Sequence, residues 1–155
     1  AEAVRSRLQK EGISTEGITD WDLCSVVCGF QIAAVERLRR LCEQSGAKIV
    51  LETSWKCMRN LDEMKRLFSL WRLDSYIVDM TDNEEMFFKE GAIQRYLDAH
   101  PAVENYVILD DISMRKAFPG HDVVTPDILD EESYRQALHI LNHWTKELGH
   151  EHHLP

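Results

Sequence analysis

The chain has 155 residues, and its 27 Asp and Glu outnumber its 18 Lys and Arg to give a net charge of −9 at pH 7. That length suits a single domain with a sizeable core. With 44% hydrophobic and 29% charged residues, the composition is that of a globular fold and excludes a disordered or fibrous chain. The acidic excess argues against broad electrostatic contact with nucleic acid and favours a cation site.

Residues 1–10 read as a short helix, with Val4 and Leu8 four apart, and residues 11–19 as a loop. Residues 20–30 are ambiguous: the run Cys24 to Cys28 is apolar enough for a strand, but Gly29 breaks it. Helical spacing of Ile32, Val35, Leu38, Leu41 and Cys42 predicts a helix over 31–45 that Gly46 stops. A strand over 48–53 follows. Next comes a helix over 60–70 with Leu61, Met64, Leu67 and Phe68 inward and Asn60 or a residue just before it as its cap. A short strand over 76–78 ends at Asp79. A helix over 90–100 turns Ile93, Tyr96 and Leu97 inward and cannot pass Pro101. Then follow a strand over 107–110, a loop over 112–120, a short strand over 122–124 and a helix over 131–148 with Tyr134, Leu138, Leu141, Trp144 and Leu148 on one stripe. Strands alternating with helices predict an α/β fold: a three-layer, Rossmann-like, mostly parallel sheet with helices on both faces.

Two strand ends carry the chemistry. Tyr106-Val107-Ile108-Leu109 stops on Asp110-Asp111, and Ile49-Val50-Leu51 runs into Glu52-Thr53-Ser54. Short continuous apolar runs suit parallel strands buried on both faces. In open α/β sheets ligands sit beyond the carboxyl ends of such strands. One edge thus receives two carboxylates and two hydroxyls, a set suited to a hard divalent cation and a phosphate-like anion. For Asp110 alone the competing reading is a turn cap, and for Lys89 a solvated surface lysine. His121 reads as a surface histidine, and His139 and His143 as a solvated helix face rather than a metal site. Cys24, Cys28, Cys42 and Cys57 lack the spacing of a zinc site. With no secretory leader and no membrane-spanning apolar run, they imply free thiols, a cytoplasmic setting and no membrane partner.

The run Gly46-Ala47-Lys48-Ile49-Val50-Leu51-x-x-Ser54-Trp55-Lys56, followed later by Tyr106-Val107-Ile108-Leu109-Asp110-Asp111, resembles the haloacid dehalogenase (HAD) superfamily. The likeness is to its small-capped, phosphatase-like branch, which includes HAD domains of RNA-repair proteins, and it covers roughly residues 30–141. It implies a Mg²⁺-dependent phosphohydrolase that cleaves a phosphate monoester through an aspartyl-phosphate. Thr53 or Ser54 would bind the phosphoryl group, Lys89 would neutralise it (with Lys56 and Arg95 in reserve), and Asp110 and Asp111 would hold Mg²⁺. It also implies a single domain over 1–155, with a small cap or insert over 1–30, a core over 31–148 and a tail over 149–155. The superfamily's first motif, Asp-x-Asp at the end of the central strand, has no counterpart after an apolar run. Asp20-Trp21-Asp22 has the spacing without the strand. The expectation is that the nucleophile lies upstream of Ala1 and that the central strand is supplied from there or by residues 24–28. The alternative is a catalytically inactive domain that binds a phosphorylated ligand or a protein partner. A macromolecular substrate fits the small cap, although the net charge does not favour nucleic acid.

Overall fold

The computed structural model describes residues 1–29, 31–53, 58–85 and 88–151, with the side chains of all of these except 29 and 144–151. Ser54, Trp55, Lys56, Cys57, Phe87, His152 and His153, and the side chains of Trp144, Leu148 and His150, lie outside the described residues.

The order of elements is α1 (Glu2–Lys10), α2 (Asp20–Gly29), α3 (Ile32–Ser45), β1 (Ile49–Leu51), α4 (Leu61–Ser69), β2 (Ile77–Met80), α5 (Lys89–Ala99), β3 (Ile108–Asp110), β4 (Asp122–Val124) and α6 (Glu131–Glu151). Local chemistry sets several boundaries. Gly46 ends α3 at φ 74°, and its N–H closes on the Cys42 carbonyl. Asn60 caps α4 through a reciprocal box: its side chain accepts the Glu63 N–H at 2.9 Å, while Glu63 accepts the Asn60 N–H at 3.1 Å. Asp20–Gly29 is a helix, so the expectation that residues 24–28 supply a strand is corrected. Leu23 and Val26, three apart, are both buried on one face, and that helical period outweighs the apolar run.

Among the described residues the strands form two parallel pairs, β1 with β2 and β3 with β4. Helix α1, the 11–19 loop, α2 and α4 pack on the first pair, burying Leu8, Ile18, Leu23, Val26, Met64 and Leu67 with Leu51 and Ile77. The second pair is covered on both faces. Val107 and Leu109 pack towards α3 and α6 around Leu41, Val123 and Ala137. Ile108 points the other way, to Met114, Phe118 and α5. Strand alternation produces that split.

Between the two pairs lies a cavity of about 600 Å³ lined by Val50 and Glu52 from the first and by Val107 to Asp110 from the second. The ladders show which backbone edges face it. Leu51 C=O accepts the Thr81 N–H at 3.0 Å, so Leu51 bonds towards β2. Ile108 N–H donates to His121 C=O at 2.7 Å, and Asp110 C=O accepts the Thr125 N–H at 2.8 Å, so both bond towards β4. In a parallel ladder the intervening residues turn their polar groups to the opposite edge. Val50 and Leu109 are those residues, and both line the cavity.

Leu23 is fully buried in the core that α2 shares with α4 and β1. Leu23→Ala is expected to cost about 2–5 kcal/mol, against about 1 kcal/mol for Asn60→Ala, both measured by urea unfolding. A Leu23→Ala cost below that of the cap variant would place α2 outside the core.

Candidate functional site

At the carboxyl ends of β1 and β3 one ammonium meets several carboxylates. Lys89, the first residue of α5, donates to Asp110 Oδ2 at 2.9 Å. The Asp110 side chain is only 8% exposed and that of Lys89 is 32% exposed, so the pair is partly screened from water. The second Asp110 oxygen accepts the Ile112 N–H at 3.0 Å, which fixes the carboxylate at the strand end. Asp111 is exposed beside it. Glu52, one residue past β1, adds its charge to the field on Lys89 and accepts from the Thr81 hydroxyl at 3.3 Å. Thr81 itself is buried just beyond β2 and also reaches the Leu51 carbonyl, at 3.4 Å.

Ile93 and Leu97 pack α5 against Ile108, Met114 and Phe118, and at its first turn Gly91 leaves room for the exposed Phe88 ring, which would stand 2.5 Å from a side-chain carbon there. Electrostatics follow from this packing. Burial pushes the Asp110 carboxyl up, but hydrogen bonds with the Asp111 carboxyl, the Lys89 ammonium and the Ile112 amide outweigh it and hold Asp110 below its ordinary value. Partial burial pulls the Lys89 ammonium down. The hydrogen bond and charge of Asp110, with the charges of Glu52 and Asp111, outweigh it and leave Lys89 above its ordinary value.

Of the residues singled out in the sequence, Lys89, Asp110 and Asp111 come together here. Lys89 opens the helix rather than preceding it. Thr53 follows Glu52 at the end of β1 and is half-buried; Ser54 and Lys56 lie outside the described residues. Arg95 turns away, gripping Asp82 with two bonds of 2.8 Å and Glu84 at 3.3 Å. Asp20 pairs with Arg5 at 2.8 Å and Asp22 with Arg59, both carboxylates standing in the first turn of α2 rather than at a strand end. His121 is no free surface histidine: its ring stacks on Tyr106 at 4.0 Å and its Nδ1 bonds the Tyr106 carbonyl at 2.8 Å. His139 and His143 stack on each other on the exposed face of α6. Among the described cysteines Cys24, Cys28 and Cys42 are free, and burial pushes the Cys42 thiol up to about 11. Sequence reasoning missed Glu52 and Thr81. Each stands where a short apolar strand turns polar, the same signal that picked out Asp110.

Residues 3–129 match the family described as the HAD domain in Swiss Army Knife RNA repair proteins. The chain belongs to that family. Neither the curated proteins nor the solved structures provide a match. No helix among the described residues is long and apolar enough to cross a membrane.

The pair has a defined pH signature. A carboxylate held below its ordinary 3.8 contributes stability above that value and loses it as the pH falls through the folded-state value. An ammonium held above 10.5 contributes below that value and loses it as the pH rises through the folded-state value. Between about pH 4 and 10 the contribution is flat. Asp110→Asn is expected to shrink the fall in urea midpoint between about pH 5 and 2.5 relative to wild type. Equal falls in the two proteins would contradict the pair.

Proposed function

We propose that this HAD domain is a Mg²⁺-dependent phosphohydrolase acting on a phosphate monoester. The observation that carries the reading is the meeting of Lys89 with Asp110 at the carboxyl ends of the parallel strands, where the phosphoryl group would arrive. Asp110 and Asp111 offer hard oxygen donors. Mg²⁺ needs no more than one or two carboxylates when phosphate and water complete its shell. The donor set therefore fits the ion, although among the described residues no cluster of three His, Cys, Asp or Glu is placed to hold a metal. Once bound, Mg²⁺ would neutralise charge on the phosphate. Lys89 would bind a phosphoryl oxygen, released from part of its hold on Asp110. A hydroxyl from Thr53 or Ser54 would donate to another. Glu52 would keep the ammonium protonated and oriented.

The cavity between β1 and β3 supports a finer reading of the fold. A strand with the same direction as its neighbours would find the Val50 and Leu109 edges on either side and would join the two pairs into one parallel sheet within a three-layer, Rossmann-like domain. Its carboxyl end would reach the Lys89 corner, the place for an attacking carboxylate that forms an aspartyl-phosphate. Asp20 and Asp22, both on α2, are each paired with an arginine from outside that helix, which argues against either as that carboxylate. That pairing also favours the second reading, a domain that binds a phosphorylated group without cleaving it. The open corner admits large substrates, and the family's link to RNA repair makes a phosphorylated RNA end the class to examine. A terminal phosphate asks for no extended basic surface, so the net charge of −9 is no obstacle.

Hydrolysis of an aryl phosphate, with and without Mg²⁺, tests the proposal. Activity that requires the ion and falls at least about 100-fold in Asp110→Asn is expected of the enzyme. Absence of turnover with a Mg²⁺-dependent rise in melting temperature, abolished by Asp110→Asn, would establish the binding domain instead. Neither response would overturn both readings.

A further inference from the structure

The cavity between the two strand pairs has the chemistry of a place for polypeptide. From the β1 segment it is lined by every second residue, Lys48, Val50 and Glu52, and from the β3 segment by the run Tyr106 to Asp110. The carboxyl ends of both segments lie in the field of Lys89, so the two run in the same direction along the cavity. Each lining segment spans five residues, about 16 Å of extended chain.

Two features select the occupant. The first is the backbone. Leu51, Ile108 and Asp110 direct their polar groups to β2 and β4, so the alternating residues Val50 and Leu109 turn N–H and C=O to the cavity from opposite sides. Among the described residues no further strand pairs with either edge. A compact apolar ligand would leave those backbone groups without partners, which is costly where water is excluded. An extended peptide presents N–H and C=O groups to both sides at once, at the spacing of a ladder.

The second feature is the pair of walls. Ile93 and Leu97 of α5 line the face to which Ile108 points, and Leu141 of α6 lines the face of Val107 and Leu109. Both walls are mainly apolar, and the charged lining residues stand at the ends, Lys48 at one and Glu52 and Asp110 at the other. A strand between such walls is apolar on both faces, so its sequence is a continuous apolar run rather than an alternation. A second copy of this chain could offer β1, β2, β3 or β4 only by dismantling one of its own pairs.

We propose that the cavity binds a separate polypeptide segment of about five consecutive apolar residues, extended and parallel to β1 and β3, which bonds the Val50 and Leu109 edges at the same time. The inference rests on the reading of the cavity as a strand site and goes beyond it by taking the strand from another molecule.

The probe is the peptide acetyl-Glu-Glu-Val-Ile-Val-Val-Leu-Asn-amide, titrated into the full chain and followed by NMR. Its acidic end keeps it from adhering to a chain of net charge −9 by charge alone. Saturable movement of the Val50 and Leu109 amide signals is expected, with hydrogen exchange at both slowed about tenfold or more. Methylating the peptide nitrogens of alternate apolar residues removes the donors to one edge, and either methylated set should weaken binding about tenfold or more. No saturable movement at millimolar peptide, protection of only one of the two amides, or equal binding of the methylated peptides would overturn the proposal. So would a chain that sediments as a dimer with both amides already protected, because a second copy would then fill the cavity. The Mg²⁺ response of the Ile112 amide, read in the same spectra, keeps the two readings apart. Failure at Val50 and Leu109 beside an intact Ile112 response counts against this proposal alone, and the converse counts against the phosphohydrolase alone.

Discussion

Lys89 brings together parts of the chain that are distant in sequence. Its ammonium bonds the carboxylate at the end of β3 and lies in the field of Glu52 at the end of β1, so the carboxyl ends of the two strand pairs meet at one corner. The charge balance at that corner is what supports the proposed site. Asp110, Asp111 and Glu52 supply three negative charges around one ammonium, and the surplus can be offset by a bound cation. The pair itself is held by packing rather than by charge alone. Asp110 is fixed by the Ile112 amide, and α5 is set against β3 by Ile93 and Leu97 over Ile108, Met114 and Phe118.

The division of the strands into two pairs follows from the same arrangement. Each pair carries its own helical cover and its own core cluster. What the pairs share is the cavity and the corner at its end. The polar edges of Val50 and Leu109 face that cavity, and free strand edges are templates for a further strand. Lys89 stands where the two halves approach each other, bonded to Asp110 and in the field of Asp111 and Glu52.

Much of this was legible in the sequence, for identifiable reasons. The helices over 32–45 and 61–69 announced themselves through apolar periodicity with a glycine stop and an asparagine cap, both local signals. The strand ends at Leu51 and Asp110 were visible because a short apolar run that turns abruptly polar marks a buried strand reaching the surface. Residues 20–29 were not legible. Val26, Val27 and the flanking cysteines suit either a strand or a buried helix, and only the packing of Leu23 and Val26 against α4 decides between them. The positions of Arg95 and His121 were equally hidden, because their partners Asp82 and Tyr106 are chosen by tertiary contact. Glu52 was visible as a residue but not as a site member, since its role comes from the approach of α5, a contact no local pattern encodes.

The most direct test of the Lys89–Asp110 corner as a cation and phosphate site is a Mg²⁺ titration of the full chain followed through the Ile112 amide, whose N–H is bonded to Asp110. Saturable movement of that signal at millimolar Mg²⁺, absent in Asp110→Asn and enhanced by a phosphate monoester, is the expected result. An Ile112 amide that stays still across the titration, with Asp110 still bound to Lys89, would contradict it.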